Sequence, residues 1–160
     1  MAMDFNNCPD VRLAVPEDLP GILELMRVAC SEDAQHPMDE DKVFAMVRRY
    51  FDQMGALIAV IGDVGAPTAY LLMVVDPIWF SQDYQLLELS LFVHPDYRKS
   101  DRAKQLMQFS KQASEGLNLD LTIGVLSTER TEAKVRLYQR QFKTAGAYFV
   151  YRPSSANTPA

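Results

Sequence analysis

Leu86-Leu87-Glu88-Leu89-Ser90-Leu91-Phe92-Val93-His94-Pro95-Asp96-Tyr97-Arg98-Lys99-Ser100-Asp101-Arg102-Ala103-Lys104 reads as a strand that runs through a charged loop into a helix. From Gln85 to Val93 the residues alternate as a strand does. Leu87, Leu89, Leu91 and Val93 share one face, all apolar, and are predicted core. Leu86, Glu88, Ser90 and Phe92 share the other, which is mixed. That mixed face is predicted to border a cleft with Glu88 and Ser90 in its wall, unless a bulge shifts the phase. Pro95 ends the strand because it has no N–H for a ladder. Ser100 or Asp101 caps the helix that follows. A helix start offers unpaired N–H groups and a partial positive charge. Arg98, Lys99, Arg102 and Lys104 flank it against Asp96 and Asp101. A local cationic excess at a helix start predicts a phosphate-bearing ligand.

Working outward, the helix runs from Asp101 to about Gly116, with Ala103, Leu106, Met107 and Ala113 on one side. Leu119 to Val125 is predicted strand, Thr131 to Gln141 helix, and Ala147 to Tyr151 a last strand. Upstream, Val11 to Val15 is a short strand. Pro16-Glu17-Asp18 opens a first helix that reaches about Cys30, with Leu19, Ile22, Leu23, Met26 and Ala29 as its stripe. The acidic stretch Glu32 to Asp41 is part loop. A second helix carries Val43, Val47, Tyr50 or Phe51, and Met54, and stops at Gly55. Ala56 to Ile61 and Thr68 to Val75 are strands joined by Gly62-Asp63-Val64-Gly65. This order predicts an α/β (α+β mixed) sheet with helices on both faces, antiparallel at its hairpins and parallel at its late crossovers.

The chain has 160 residues, enough for one domain with a sizeable core. One domain is predicted over 1–152, with 153–160 a disordered tail. A net charge of -5 opposes non-specific binding to nucleic acid or an anionic membrane. Cys8 and Cys30 are two cysteines only, too few for a disulfide framework, and no His/Cys/Asp cluster has metal spacing. No apolar run approaches the ~20 residues of a membrane span. Met1-Ala2-Met3-Asp4-Phe5 has no signal-peptide pattern. A cytoplasmic location is the expectation.

Val93-His94-Pro95-Asp96-Tyr97-Arg98 before a helix resembles the cofactor motif of the GNAT N-acetyltransferase superfamily. That motif is a strand ending in Val-x-Pro-x-Tyr-Arg, then a loop read as Arg/Gln-x-x-Gly-x-Gly/Ala. Arg98 matches its first residue and Ala103 its last, while Asp101 stands where glycine is usual. The resemblance implies that loop amides from Arg98, Lys99, Ser100, Asp101, Arg102 and Ala103 hold the pyrophosphate of acetyl-CoA. It implies that the backbone of Leu91, Phe92 and Val93 pairs with the pantetheine arm. Glu132-Ala133-Lys134-Val135-Arg136-Leu137-Tyr138-Gln139-Arg140-Gln141-Phe142 is similar to the family helix ending in Ala-x-x-Leu-Tyr-x-x-x-Gly-Phe, without its glycine. Tyr138 matches the tyrosine that often protonates the leaving thiolate. The order of elements from Val11 to Tyr151 matches as well. The resemblance implies acetyl transfer from acetyl-CoA to a primary amine, of a small molecule or a peptide. Homodimers are common in that superfamily.

Each of these residues also has a plainer reading. Glu88 is a candidate general base, because an alkylamine of pKa ~10 must lose a proton before it attacks. It is equally a solvated strand charge or half of a salt bridge. Tyr138 is either a proton donor or a packed helix aromatic. The loop from Arg98 to Ala103 is either a pyrophosphate cradle or an ordinary strand-to-helix junction. The acidic stretch Glu32 to Asp41 either attracts a cationic amine or is a solvated loop. Trp79 and Phe80 either line the acceptor pocket or serve contacts elsewhere. His36 and His94 read as turn or surface residues. The rival of another class is a GNAT-shaped module without catalysis, which keeps acyl-CoA binding or only the fold, and Asp101 favours it.

Overall fold

The computed structural model describes residues 7–33, 36–52, 55–127, 130–151 and 153. Met1 to Phe5, Met54 of the predicted second helix and residues 154–160 of the predicted tail lie outside them.

Five strands form one sheet in sequence order. They are β1 (Val11–Leu13), β2 (Ala56–Asp63), β3 (Ala66–Pro77), β4 (Tyr84–Val93) and β5 (Asp120–Thr122). The first three pairings are antiparallel, and β4 pairs with β5 in parallel. A parallel neighbour needs a crossover, and α3 (Arg102–Leu117) supplies it. The other helices are α1 (Leu19–Asp33), α2 (Glu40–Asp52) and α4 (Thr131–Gln139).

The alternation of β2 and β3 divides two cores. Val60, Tyr70 and Leu72 pack against Ile22 and Met26 of α1 and Val47 of α2. Ala59, Leu71 and Met73 pack against Leu106, Phe109 and Ala113 of α3. Both sheet faces are therefore covered, which explains the nearly unbroken apolar run of β2. Leu71, Leu72 and Leu106 are fully buried, or within 1% of it. Each such side chain contributes ~1.5–3 kcal/mol by leaving water.

The entry to α1 differs from expectation. Pro16–Asp18 forms a 3-10 turn and the α-helix starts after it. Asp18 closes the start of this turn, its carboxylate accepting from the Val15 amide, and it is fully buried. It accepts two bonds from the Arg12 guanidinium of β1, at 2.6 and 2.8 Å. It also accepts from the Val15 amide at 2.9 Å and the Gly65 amide at 2.8 Å. Gly65 has φ +81, a conformation that glycine adopts freely in this β2–β3 turn.

Three strand expectations are corrected. The strand predicted over Leu119 to Val125 pairs only over Asp120–Thr122. The strand predicted over Ala147 to Tyr151 does not form. Aromatic and β-branched residues favour strands only where a neighbouring edge and a facing layer receive them. Here Tyr148, Phe149, Val150 and Tyr151 are all exposed. The third correction concerns the phase of β4. Leu72 pairs with Ser90 but Met73 pairs with Glu88, so Leu89 is an extra residue, a β-bulge. Beyond it the alternation flips. Leu86 joins Leu91 and Val93 against α3, and Leu87 falls in register with Val74, on the face of Ser90 and Phe92.

Candidate active site

The ladder between β4 and β5 ends at Leu87 and Thr122. From Glu88 to Val93, the outer edge of β4 has no strand partner among the described residues. A cleft of about 1010 Å³ opens there. It continues past β4 toward α1 and α2 on one side and toward α4 on the other. Splayed strands are costly unless something else uses the freed backbone groups, since N–H and C=O must be satisfied.

Glu88 sits at the split. Its carboxylate accepts a bond from the Gly124 amide at 3.3 Å. The Tyr138 hydroxyl of α4 lies near enough to interact with it electrostatically. Burial raises the carboxyl's pKa, and these two neighbours offset only part of that, leaving it at about 7. Burial, and after it the Glu88 charge, push the Tyr138 phenol well above its ordinary value. The phenol therefore stays protonated and able to donate at neutral pH. The bulge at Leu89 is what turns Glu88 toward α4 rather than toward Ser90. The split thus holds, side by side in one cleft, a carboxyl able to take a proton and a phenol able to give one.

Leu91, Phe92 and Val93 line the same cleft. Of the predicted loop, Arg98, Ser100 and Ala103 do so. Arg98 is already engaged. It pairs with Glu32 of α1, donates from Nε to the Val93 carbonyl at 3.3 Å, and lies 5.5 Å over the Phe92 ring. Arg102 turns elsewhere, bonding Thr68 Oγ1 at 3.0 Å and stacking 4.3 Å from the Tyr97 ring. Lys99 is exposed. Asp101 faces a separate recess of about 320 Å³ with Asn7, Lys104 and Gln105. Its φ of -88 is ordinary, so no glycine is needed there. The loop's remaining anion-binding capacity is therefore backbone rather than side chain: the amides that open α3.

Other candidates fall away from the cleft. Trp79 and Phe80 stack edge to face at 5.3 Å on the β3–β4 loop, 92% and 74% exposed, and do not line it. His94 accepts from the Asp96 amide at 3.3 Å, a turn role. His36 does line the cleft. The acidic stretch is mostly structural. Asp39 caps α2 by accepting from the Lys42 amide, Glu40 pairs with Arg27, and Glu32 pairs with Arg98. Among the described residues no group of three His, Cys, Asp or Glu is placed to hold a metal. No described helix is long and apolar enough to cross a membrane.

The cleft also contains Tyr70 and Gly124, which the sequence reading did not single out, and Cys30, which it read as a poor nucleophile. Tyr70 bonds Ser90 Oγ at 2.8 Å, and burial pushes its phenol up to about 12. Cys30 lines the cleft, its thiol pKa raised by burial. A hydroxyl inside the apolar run of β3 was the available signal for Tyr70. Gly124 carried none, because its role is a backbone amide.

No known family model matches this chain, and no curated protein sequence does. Solved structures do. A protein of Agrobacterium tumefaciens str. C58 classed as an acetyltransferase is 21% identical, with 89% of this chain and 99% of that one covered and a TM-score of 0.69. AAC(6')-Iy in complex with the bisubstrate analogue CoA-S-monomethyl-acetylneamine is 17% identical, covering 90% and 97%, TM-score 0.68. The ribosomal-protein-alanine N-acetyltransferase of Brucella melitensis biovar Abortus 2308 is 16% identical, covering 91% and 99%, TM-score 0.67. At these identities the likeness establishes a shared fold.

Proposed function

We propose that this chain, which has the α/β fold of the GNAT N-acetyltransferases, transfers an acetyl group from acetyl-CoA to a primary amine. The observation that carries the reading is the Glu88–Tyr138 pair at the split between β4 and β5. Two solved structures of this fold support it, one holding a coenzyme A bisubstrate analogue and one named for an alanine amine of ribosomal protein.

The residues present suit acetyl-CoA. An extended arm carrying amides finds the open edge of β4 from Glu88 to Val93. A pyrophosphate finds the start of α3, with Ser100 and Ala103 in the wall. Bound there, acetyl-CoA supplies a thioester carbonyl.

Glu88, ionised above about pH 7, takes a proton from the attacking ammonium, directly or through one water. The amine's lone pair then closes the carbon–nitrogen bond as the carbon–sulfur bond breaks. Tyr138 gives its proton to the departing sulfur and recovers one from its neighbour Glu88. Protons balance: the ammonium sheds two, one ending on the thiol by way of Glu88 and Tyr138, the other released to water as the amide forms. Strand amides beside the Leu89 bulge polarise the carbonyl, and the cleft walls hold both reactants in line.

The test is thermal unfolding with acetyl-CoA, coenzyme A or adenosine, followed by thiol release with an amine panel. Acetyl-CoA at ~100 times its dissociation constant should add about 2.7 kcal/mol of stability. A shift with both thioester and thiol, none with adenosine, and thiol release only with amines is the expected result. Tight acetyl-CoA binding with no turnover on any amine would sink the catalytic reading.

A further inference from the structure

We infer that the acceptor is a monoamine carried on an uncharged apolar body, not a polycation; this rests on the acetyl-transfer reading and names its substrate class.

Three observations carry it. The half of the cleft between α1 and α2 is walled by Met26, Ala29, Met38, Val43, Met46 and Leu72. Met26 and Leu72 belong to the core on that face, and Met38, Val43 and Met46 pack against it, so the wall is an exposed margin of the core itself. This half is continuous with the reacting centre: Tyr70, Glu88 and Tyr138 line the same cleft.

Second, the charges are wrong for a polycation. Among the described residues two carboxylates line the cleft, Glu32 and Glu88. Glu32 is paired with Arg98. Glu88 is left for one ammonium, the one that reacts. Arg130 lines the cleft as well. A second or third ammonium would lose water against methionine and meet no further carboxylate among the described lining residues.

Third, the described acids just before and at the start of α2 are used elsewhere. Asp39 and Glu40 are held in the cap of α2 and the pair with Arg27. Neither lines the cleft. Methionine adds adaptability, since its unbranched thioether fits varied apolar shapes.

The test compares amines of similar basicity on the full chain with acetyl-CoA. Butylamine, hexylamine, octylamine and phenethylamine form one arm, spermidine and kanamycin the other. Burial of each methylene should raise kcat/KM about two- to fourfold, hence on the order of tenfold or more from butylamine to octylamine. Spermidine and kanamycin should fall at least tenfold below octylamine. Met38→Glu should narrow that gap by weakening octylamine and improving spermidine, with circular dichroism confirming the fold. A flat alkyl series, or preference for either polycation, overturns the inference and leaves acetyl transfer standing. If no amine reacts, acetyl transfer falls, and calorimetry with coenzyme A present decides the acceptor chemistry. Octylamine binding tighter than butylamine and spermidine then supports the apolar wall, and equal or absent binding overturns it.

Discussion

At the scale of single residues, the decisive pair is Glu88 and Tyr138. A carboxyl held at about 7 in the fold, against about 4.5 in the unfolded chain, makes its ionisation cost stability. The folded state binds more protons between those values, so stability is fully present below about pH 4.5 and declines as pH rises through 7. Glu88→Gln removes the charge and keeps an acceptor for Tyr138. It should raise the melting temperature at pH 8, by an amount on the order of 2 kcal/mol, and leave it unchanged at pH 4.5. The same substitution should lower kcat about 100-fold and abolish the rise of rate with pH toward 7. Urea titrations at the two pH values and a pH–rate profile read both effects. Tyr138→Phe should lower kcat to a similar degree without weakening acetyl-CoA binding, since the ring still packs against Phe142 at 6.2 Å. Asp101→Gly should change acetyl-CoA affinity less than about threefold, because an exposed charge turned from the cleft is worth ~0–1 kcal/mol. A larger gain by titration calorimetry would restore Asp101 as a damaging departure.

Elements tell how far the sequence could be read. The alternation of β2 and β3, the stripe of α1 and the strand–loop–helix at Val93 to Arg102 were legible, because each follows from a local period or a local breaker. The phase of β4 was not: a bulge at Leu89 is set by pairing with β3, and one extra residue moves Glu88 to the other face. Asp18 was legible only in part. An acid at a helix start was expected and does close the turn, but four donors from β1, the turn before α1 and the β2–β3 turn converge on it, three of them beyond local reading. Burial alone would raise its pKa; the Arg12 guanidinium and the amides of Val15 and Gly65 outweigh that and bring it to about 2. Its contribution is therefore present above pH 4 and lost as pH falls toward 2. Asp18→Ala strands Arg12 and two amides at once. We expect a loss of about 3 kcal/mol at pH 7, measurable by urea unfolding, that shrinks as the pH approaches 2. Equal losses at both pH values would mean that packing, not the ion pair, holds this corner.

At the scale of the whole molecule, the two cores and the cleft divide the chain unequally. Among the described residues, every buried apolar side chain belongs to the span from Cys8 to Ala113. α4 has no buried residue, and residues 148–151 are exposed. Yet Tyr138, the proton donor of the proposed reaction, is on α4, and Gly124, which bonds Glu88, follows β5. The half of the cleft proposed for the chemistry is thus built on the part of the chain with the least burial of its own. Local opening free energy follows buried contact, so residues 123–127 and 131–142 should exchange their amide hydrogens well before β2, β3 and α3. A ligand lying between β4 and α4 supplies the packing that these segments lack. Saturating coenzyme A should therefore slow exchange at 123–127 and 131–142 by tenfold or more, while leaving β1 and β2 nearly unchanged. Hydrogen exchange read by mass spectrometry separates the outcomes. Protection confined to the start of α3 would mean that the phosphates bind but the reactive arm does not reach Glu88, and uniform protection would mean that the cleft is already as rigid as the cores.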